Sequence, residues 1–473
     1  MRSLYNEKYK IIYVDNYLAG RELDLKDLES IDLSLFEFLK VAGLVEIFQS
    51  KTRTTINSAI DYLTGLLVLT HDRNMSKIEE ETRCQTTAHS FSYFLTKGIW
   101  SSEYLCKLLR KFILTLVDRA SLVFTLDESA VAKSGKNSVG AARQYCGNMG
   151  KVELCQVGVY LGIQLGNIRL ILDYRLYLPQ SIIDDVTNIE KFGIPKDKFI
   201  FKKKQELALE MIDSLISEGI NITKIVMDGF YGSDPFFLSQ LSKRNIIFLA
   251  DIACNTQICL ENPITYLPKR KGSRGRNPSI FKILTQQFKV SDLVSDPLGW
   301  LEIKVRPTER GYKNVFVKCF RVWRKEDGLP VSDPLWLIIS YDCSEKKVKY
   351  SFSNLPESVS EKELAIFQSS RYWIERTFED MKGMYGLSDL QGRSWNSWHR
   401  HVVLVMVCAT FISQKTMNLK ENGIAIRITS TLELFRQLNP LIKKELFEVI
   451  YGINKKIKAA LQSRNSRLKN AIS

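Results

Sequence analysis

Apolar residues recur at three-and-four spacing from Ile31 to Phe48 and again from Ala59 to Leu69, the period of amphipathic helices. Ser76-Lys-Ile-Glu79 reads as a capping box, with Ser76 as N-cap and Glu79 reaching back to it. A turn near Arg83-Cys84-Gln85 and a second helix through His89, Phe91, Phe94 and Leu95 follow. The pair has helix-turn-helix length. It fits two ordinary bundle helices at least as well, because the usual turn glycine is missing. From Ser121 the texture turns to β. Ser121 to Leu126 is a compact strand ending in Asp127-Glu128, and two β-rich runs, Leu154 to Leu165 and Ile168 to Leu178, flank Gly166-Asn167 as a hairpin. A helix over Gln205 to Ser217, a strand Lys224 to Met227 ending in Asp228, a helix around Phe236 to Lys243 and a strand Asn245 to Ala250 complete the run.

This order predicts an α/β fold with a mixed sheet. Residues 254 to 350 break the pattern with a basic loop, Pro268 to Arg276, and short strands at Trp300 to Val305, Asn314 to Val322, Leu335 to Tyr341 and Lys346 to Ser351. They read as a β-rich insertion. Helices resume near Glu361. The expected division is a helical, DNA-binding region over 1–118, an α/β domain over 119–253 and 351–414 interrupted by the insertion at 254–350, and a basic helical region over 415–473.

Charge narrows the partner. Lys and Arg number 67 against 52 Asp and Glu, a net +15, which points to a polyanion. From Lys415 onward 12 Lys or Arg stand against 4 Glu, so the tail carries more than half of that surplus. The longest apolar stretch, Val402 to Ile412, is shorter than the roughly 20 residues that span a bilayer, and the N-terminus lacks a signal-peptide core. Nine cysteines without a CxxC pair fit a reducing compartment better than a disulfide framework or a structural zinc. Four histidines and no HExxH argue against a zinc hydrolase. Gly147-Asn-Met-Gly150-Lys151 fails as a phosphate loop: Tyr145 stands at the first Gly position and Val152 replaces the Ser or Thr. No GxSxG is present.

Carboxylates remain. Asp127 and Asp228 each end an apolar strand of one sheet, where ligand groups converge, although a lone Asp there is more often a cap. In Arg371-Tyr-Trp-Ile-Glu375-Arg-Thr-Phe-Glu379-Asp-Met-Lys382, the residues Arg371, Glu375 and Lys382 share a helix face. Alone, that pattern is a salt-bridged amphipathic helix. Together the three acids suit hard cations such as Mg²⁺ or Mn²⁺, and two such ions about 3.5–4 Å apart serve phosphodiester chemistry without a protein nucleophile.

At these residues the sequence resembles the bacterial insertion-sequence DDE transposases, in the branch with a β-rich insertion before the last Glu and a Y-x2-R-x3-E-x6-K signature. Four blocks carry the match: Leu126-Asp127-Glu128-Ser129 with the segment to Gly147, Met227-Asp228-Gly-Phe-Tyr-Gly232, Arg371-Tyr-Trp-Ile-Glu375 with Lys382, and Gln391-Gly-Arg-Ser-Trp395 through Trp398-His399. The resemblance implies an RNase H-like domain whose metal-binding triad is Asp127, Asp228 and Glu375. It also implies phosphate contacts from Arg371 and Lys382. Gln368 stands where the signature has Tyr, which puts that residue's role in doubt. Glu128 and Glu379 are the rivals for triad places.

Lys133, Lys136 and Arg143 are further phosphate candidates, as are Lys269, Arg270, Arg274 and Arg276 of the basic loop, whose bland alternative is a solvated surface. Trp395, Trp398 and His399 read as core. The implied function is a Mg²⁺-dependent DNA transposase, with two ions and Mn²⁺ as a substitute. It would cut element ends and join their 3′-hydroxyls to target DNA, acting as a homodimer on double-stranded DNA with no nucleotide cofactor and no membrane. The expected location is the bacterial cytoplasm, at the nucleoid. Alternatives are an RNase H-like nuclease without strand transfer and an inactive DNA-binding derivative.

Overall fold

The computed structural model describes residues 11–15, 18–23, 34–51, 53–82, 84, 86–165, 168–268, 279, 281–296, 298–308, 311–324, 333–421 and 427–438. The N-terminal region is not wholly helical: Ile11–Asp15 (β1) and Leu18–Leu23 (β2) form an antiparallel pair. Five helices follow: Leu35–Val41 (α1), Ile56–Val68 (α2), Met75–Thr82 (α3), Ala88–Thr96 (α4) and Ser102–Ile113 (α5). The capping box at Ser76 is not formed. Asn74 Oδ1 accepts from the Lys77 amide at 3.0 Å, so the helix begins before Ser76. The Glu79 carboxylate instead accepts from the Ala88 amide at 2.6 Å, tying α3 to the start of α4. Phe91, Phe94 and Leu95 of α4 are buried in the main core, so this pair packs as bundle helices do.

The sheet is built around Val123–Ala132 (β3). Ala142–Cys146 (β4), Lys151–Leu165 (β5) and Ile168–Leu176 (β6) follow it. β5 runs antiparallel to β3 on one side and to β4 and β6 on the other. The predicted turn at Gly166-Asn167 lies outside the described residues. Lys204–Ser217 (α6) leads to Lys224–Met227 (β7), and Pro235–Lys243 (α7) to Ile247–Asp251 (β8). β7 pairs in parallel with both β3 and β8. The order β6-β5-β3-β7-β8, antiparallel in its first half and parallel in its second, is the RNase H-like arrangement.

The segment predicted as an insertion contains four short strands, Gln257–Cys259 (β9), Thr265–Tyr266 (β10), Lys282–Ile283 (β11) and Phe288–Lys289 (β12). It then forms a meander of Leu301–Thr308 (β13), Gly311–Arg324 (β14), Leu335–Asp342 (β15) and Lys347–Ser353 (β16). β16 pairs with β8, so the meander prolongs the central sheet. Its face is covered by Glu361–Ser369 (α8), where Leu364 and Ala365 meet Ile338, Val226 and Leu249.

Three helices follow among the described residues: Tyr372–Gly383 (α9), Trp395–Glu421 (α10) and Ile428–Leu438 (α11). By length and composition α10 could cross a membrane, contrary to the short apolar run read from sequence. Yet 83% of its most apolar window is buried in the protein, against α2, α4, α5, α11 and β6. The apolar run looks short because Ser413 to Thr416 end it in sequence, although Ser413, Lys415 and Thr416 are buried. Thr410 and Thr416 spend their hydroxyls on the Met406 and Ile412 carbonyls, at 2.8 and 2.7 Å, and so pass into the core. One core runs from Leu35 of α1 to Phe435 of α11.

Candidate active site

The register of three parallel strands places the acids. Leu126 of β3 stands beside Met227 of β7, which stands beside Ala250 of β8. The next residue in each case is an aspartate: Asp127, Asp228 and Asp251. β3 does not end at Asp127 but continues to Ala132 along β5, with Asp127 opposite Tyr160. Glu128 reads like a terminus because it is charged, yet alternation sends it to the other face, where it accepts from Lys204 of α6 at 2.6 Å. Asp127 keeps the face covered by α9, whose Phe378 ring lies 5.3 Å from the Tyr160 ring. Asp228 does cap: its Oδ1 accepts from the Phe230 and Tyr231 amides at 3.1 and 3.4 Å, holding a single helical turn, Gly229–Gly232. That turn sits so close to β8 that a Cβ at Gly232 would collide with the Asp251 carbonyl.

Arg371 joins the acids. Its guanidinium lies 3.7 Å from Asp127 Oδ2, 3.9 Å from Asp251 Oδ2 and 3.0 Å from Glu375 Oε1. Glu375, one turn along α9, is exposed, with 60% of its side-chain surface open. Lys382 reaches the same region from the far end of α9 and donates to the Ala130 carbonyl of β3 at 3.3 Å. Burial pushes the Asp127 carboxyl up to about 7, an effect that Arg371 opposes and Asp228 reinforces. Burial also raises Asp251, with Arg371 and the Ser351 hydroxyl opposing it. Burial by itself would lower the Arg371 guanidinium, but Asp127, Asp251, Glu375 and Asp228 outweigh it and hold Arg371 above its ordinary value. Lys382 is lowered by burial.

Asp127, Asp228, Arg371 and Glu375 are therefore brought together, with Lys382 at their edge. The rivals stand apart: Glu128 on the opposite face, and Glu379 exposed and paired with Arg376 at 2.8 Å. Gln368 does not face a ligand. It is buried, and its Nε2 donates to the Ile338 carbonyl at 3.2 Å and to Ser351 Oγ at 2.9 Å. Lys133, just past the end of β3, donates to the Leu390 carbonyl at 3.1 Å. It lines an open polar groove of about 560 Å³ with Ser134, Asn137, Ser138, Gln391 and Arg393. Lys136 and Arg143 are exposed. Lys269, Arg270, Arg274 and Arg276 lie outside the described residues, as does most of the basic tail. Trp398 is buried against Tyr174, whose hydroxyl donates to the His399 carbonyl at 2.7 Å. Sequence reasoning missed Asp251, although it follows an apolar strand just as Asp127 and Asp228 do. It also missed Arg393.

A family model described as DDE superfamily endonuclease matches residues 44–307, more than half of the chain. The chain belongs to the DDE superfamily endonuclease family. The matched span of this endonuclease includes Asp127, Asp228 and Asp251, and ends before α9. The chain is also 24% identical over 305 residues to a protein from Microchaete diplosiphon described as "Probable transposase for insertion sequence element IS701". That alignment covers 63% of this chain and 67% of the relative. A cryo-EM structure of the piggyBac transposase synaptic complex with hairpin DNA superposes with a TM-score of 0.38 and 12% identity, over 94% of this chain and 83% of that one.

DDE endonucleases act on DNA with a divalent metal, and the donor chemistry here fits one. All the candidate ligands are carboxylates, which hard cations prefer. The buried Asp127 is held above its ordinary range next to a second carboxylate, a demand for positive charge that a cation meets. Among the described residues no three Asp, Glu, His or Cys side chains are already spaced to hold an ion. Arg371 is the cation that now stands among them.

Proposed function

We propose that this endonuclease is a DNA transposase that cuts the ends of a mobile element and joins the freed 3′-hydroxyls to target DNA. Asp127, Asp228 and Glu375 would hold Mg²⁺, as two ions, with Mn²⁺ as a working substitute. When bound, such ions activate an attacking oxygen and stabilise the leaving oxygen of a phosphodiester. The chain's own residues bind and orient. Arg371 offers guanidinium donors to a phosphate beside the acids, and Lys382 adds a second cation. Lys133 and Arg393 set positive charge in the groove beyond β3, a path for the DNA backbone together with Lys136, Arg143 and the basic loop. The reading extends to a homodimer on paired ends, acting at the nucleoid of a bacterial cell.

The observation that carries this reading is the alignment of Asp127 with Asp228 on adjacent parallel strands, under a helix that brings Arg371 and Glu375. The test uses the DNA flanking the gene as substrate, with Mg²⁺ or Mn²⁺, and Asp228→Ala and Glu375→Ala as controls. Cuts at flanking inverted repeats that vanish in both variants, together with joined products, support transposition. Cuts without joining leave a nuclease. Binding without cutting leaves an inactive DNA-binding derivative.

A further inference from the structure

A chain of hydrogen bonds leads from the meander to Arg371. Gln368 Nε2 donates to the Ile338 carbonyl of β15 and to Ser351 Oγ of β16. Ser351 Oγ in turn donates to Asp251 Oδ1 at 2.7 Å. Ser351 is wholly buried, and it stands directly opposite Asp251 across the β8–β16 ladder. Its hydroxyl thus has one acceptor and one donor, both fixed. Asp251 turns its other oxygen, Oδ2, to Arg371 Nε at 3.9 Å. That distance is in ion-pair range but beyond hydrogen-bond reach. The buried Nε–H has no hydrogen-bond partner among the described residues. Arg371 is therefore held at Nε by charge, with hydrogen-bonding capacity unspent.

We propose that Asp251, Ser351 and Gln368 form a positioning assembly through which β15 and β16 fix the Arg371 guanidinium beside Asp127 and Glu375, ready for a DNA phosphate. This rests on the function proposed above. It also explains why Gln serves at position 368, since a side-chain amide supplies the two donors that Ile338 and Ser351 accept. Asp251 is then not a fourth metal ligand. It balances Arg371, so that the guanidinium does not collapse onto Asp127 and block the cation that must bind there.

The test compares full-length protein with Asp251→Asn, Ser351→Ala, Arg371→Lys and the Asp251→Asn/Arg371→Lys pair. Single-turnover cutting of end DNA should fall about three- to tenfold in Asp251→Asn, no more than in Arg371→Lys, through which Asp251 acts, and less in Ser351→Ala. Mn²⁺ affinity, measured by calorimetry without DNA, should stay within about twofold of wild type. The double variant should be no slower than Arg371→Lys alone, because residues acting as a unit are not additive.

A tenfold loss of Mn²⁺ affinity in Asp251→Asn would make Asp251 a ligand and overturn the proposal, as would additive losses or unchanged cutting. Ser351→Ala removes one oxygen and keeps the test open should Asp251→Asn fail to fold. If wild-type protein cuts no DNA, the function above has failed, and the assembly is still decided by the Nε–H signal of Arg371 in protein carrying isotope-labelled arginine. Faster exchange of that proton with water in Asp251→Asn and Ser351→Ala supports it, and unchanged exchange overturns it.

Discussion

Arg400 is buried and Arg371 nearly so, and they are held in opposite ways. Arg400, on α10, has no carboxylate partner among the described residues. Its two terminal nitrogens donate to four carbonyls at the end of α4 and just beyond: Phe94 and Leu95 at 3.3 Å each, Gly98 at 2.6 Å and Trp100 at 2.7 Å. It caps that helix from a residue about 300 positions away, and burial lowers its guanidinium to about 10. Arg371 sits among carboxylates that raise it, and only the Glu375 contact is of hydrogen-bond length. A saturated arginine is a rivet. An arginine surrounded by charge but short of hydrogen bonds has something left to bind.

The contrast can be broken at either end. The largest effect belongs to the acids: Asp228→Ala should slow DNA cleavage at least about a thousandfold, the several kcal/mol that metal-assisted charge stabilisation is worth, while its stability falls by only about 1 kcal/mol from the lost cap on Phe230 and Tyr231. Retained cleavage in a gel assay would remove Asp228 from the site. Next comes Arg400→Met, which strands four carbonyls. It should cost about 3 kcal/mol in urea unfolding while leaving the cleavage rate per folded molecule at the wild-type value. A normal unfolding curve would show that Arg400 is no rivet.

A pH effect of about 3 kcal/mol should follow from His401. Its Nε2 faces the Gly386 carbonyl at 3.0 Å, which can only accept, so that nitrogen carries the hydrogen, and Nδ1 accepts from the Tyr62 hydroxyl at 2.9 Å. Burial lowers His401 to about 4 and His399 to about 3. Protons therefore bind the unfolded chain first, so stability present above about pH 6.5 is lost as the pH falls toward 4. His401→Gln should flatten that slope, and an identical slope in the variant would contradict the assignment. The smallest effect is Arg371→Lys, about tenfold slower cleavage at unchanged stability. A large loss of stability there would erase the distinction from Arg400.

Local pattern revealed much of this molecule. The apolar runs before Asp127 and Asp228 and the helix carrying Arg371 and Glu375 show in residue spacing, because each lies within one element. The far end of β3 did not show, since Glu128 and Ser129 are polar and look like a stop, although alternation hides both. β4 was missed because Ala-Arg-Gln-Tyr-Cys pairs with β5 along only one edge and is half exposed. The β1–β2 pair was read as helix. Asp251 carried the same strand-end signal as its two neighbours, but its importance depends on Ser351 and Arg371, each at least 100 residues away. Periodicity within a window cannot report such pairings.

The pairing of β16 with β8 also bears on how this protein could be shortened. β8 lies between β7 and β16. Cutting out the meander would strip its outer side and leave a row of open amides and carbonyls next to the acids, a template for another chain to zip onto. A trimmed version would therefore face self-association at the very place where DNA must enter. The meander is in that sense a permanent cover for a sheet edge.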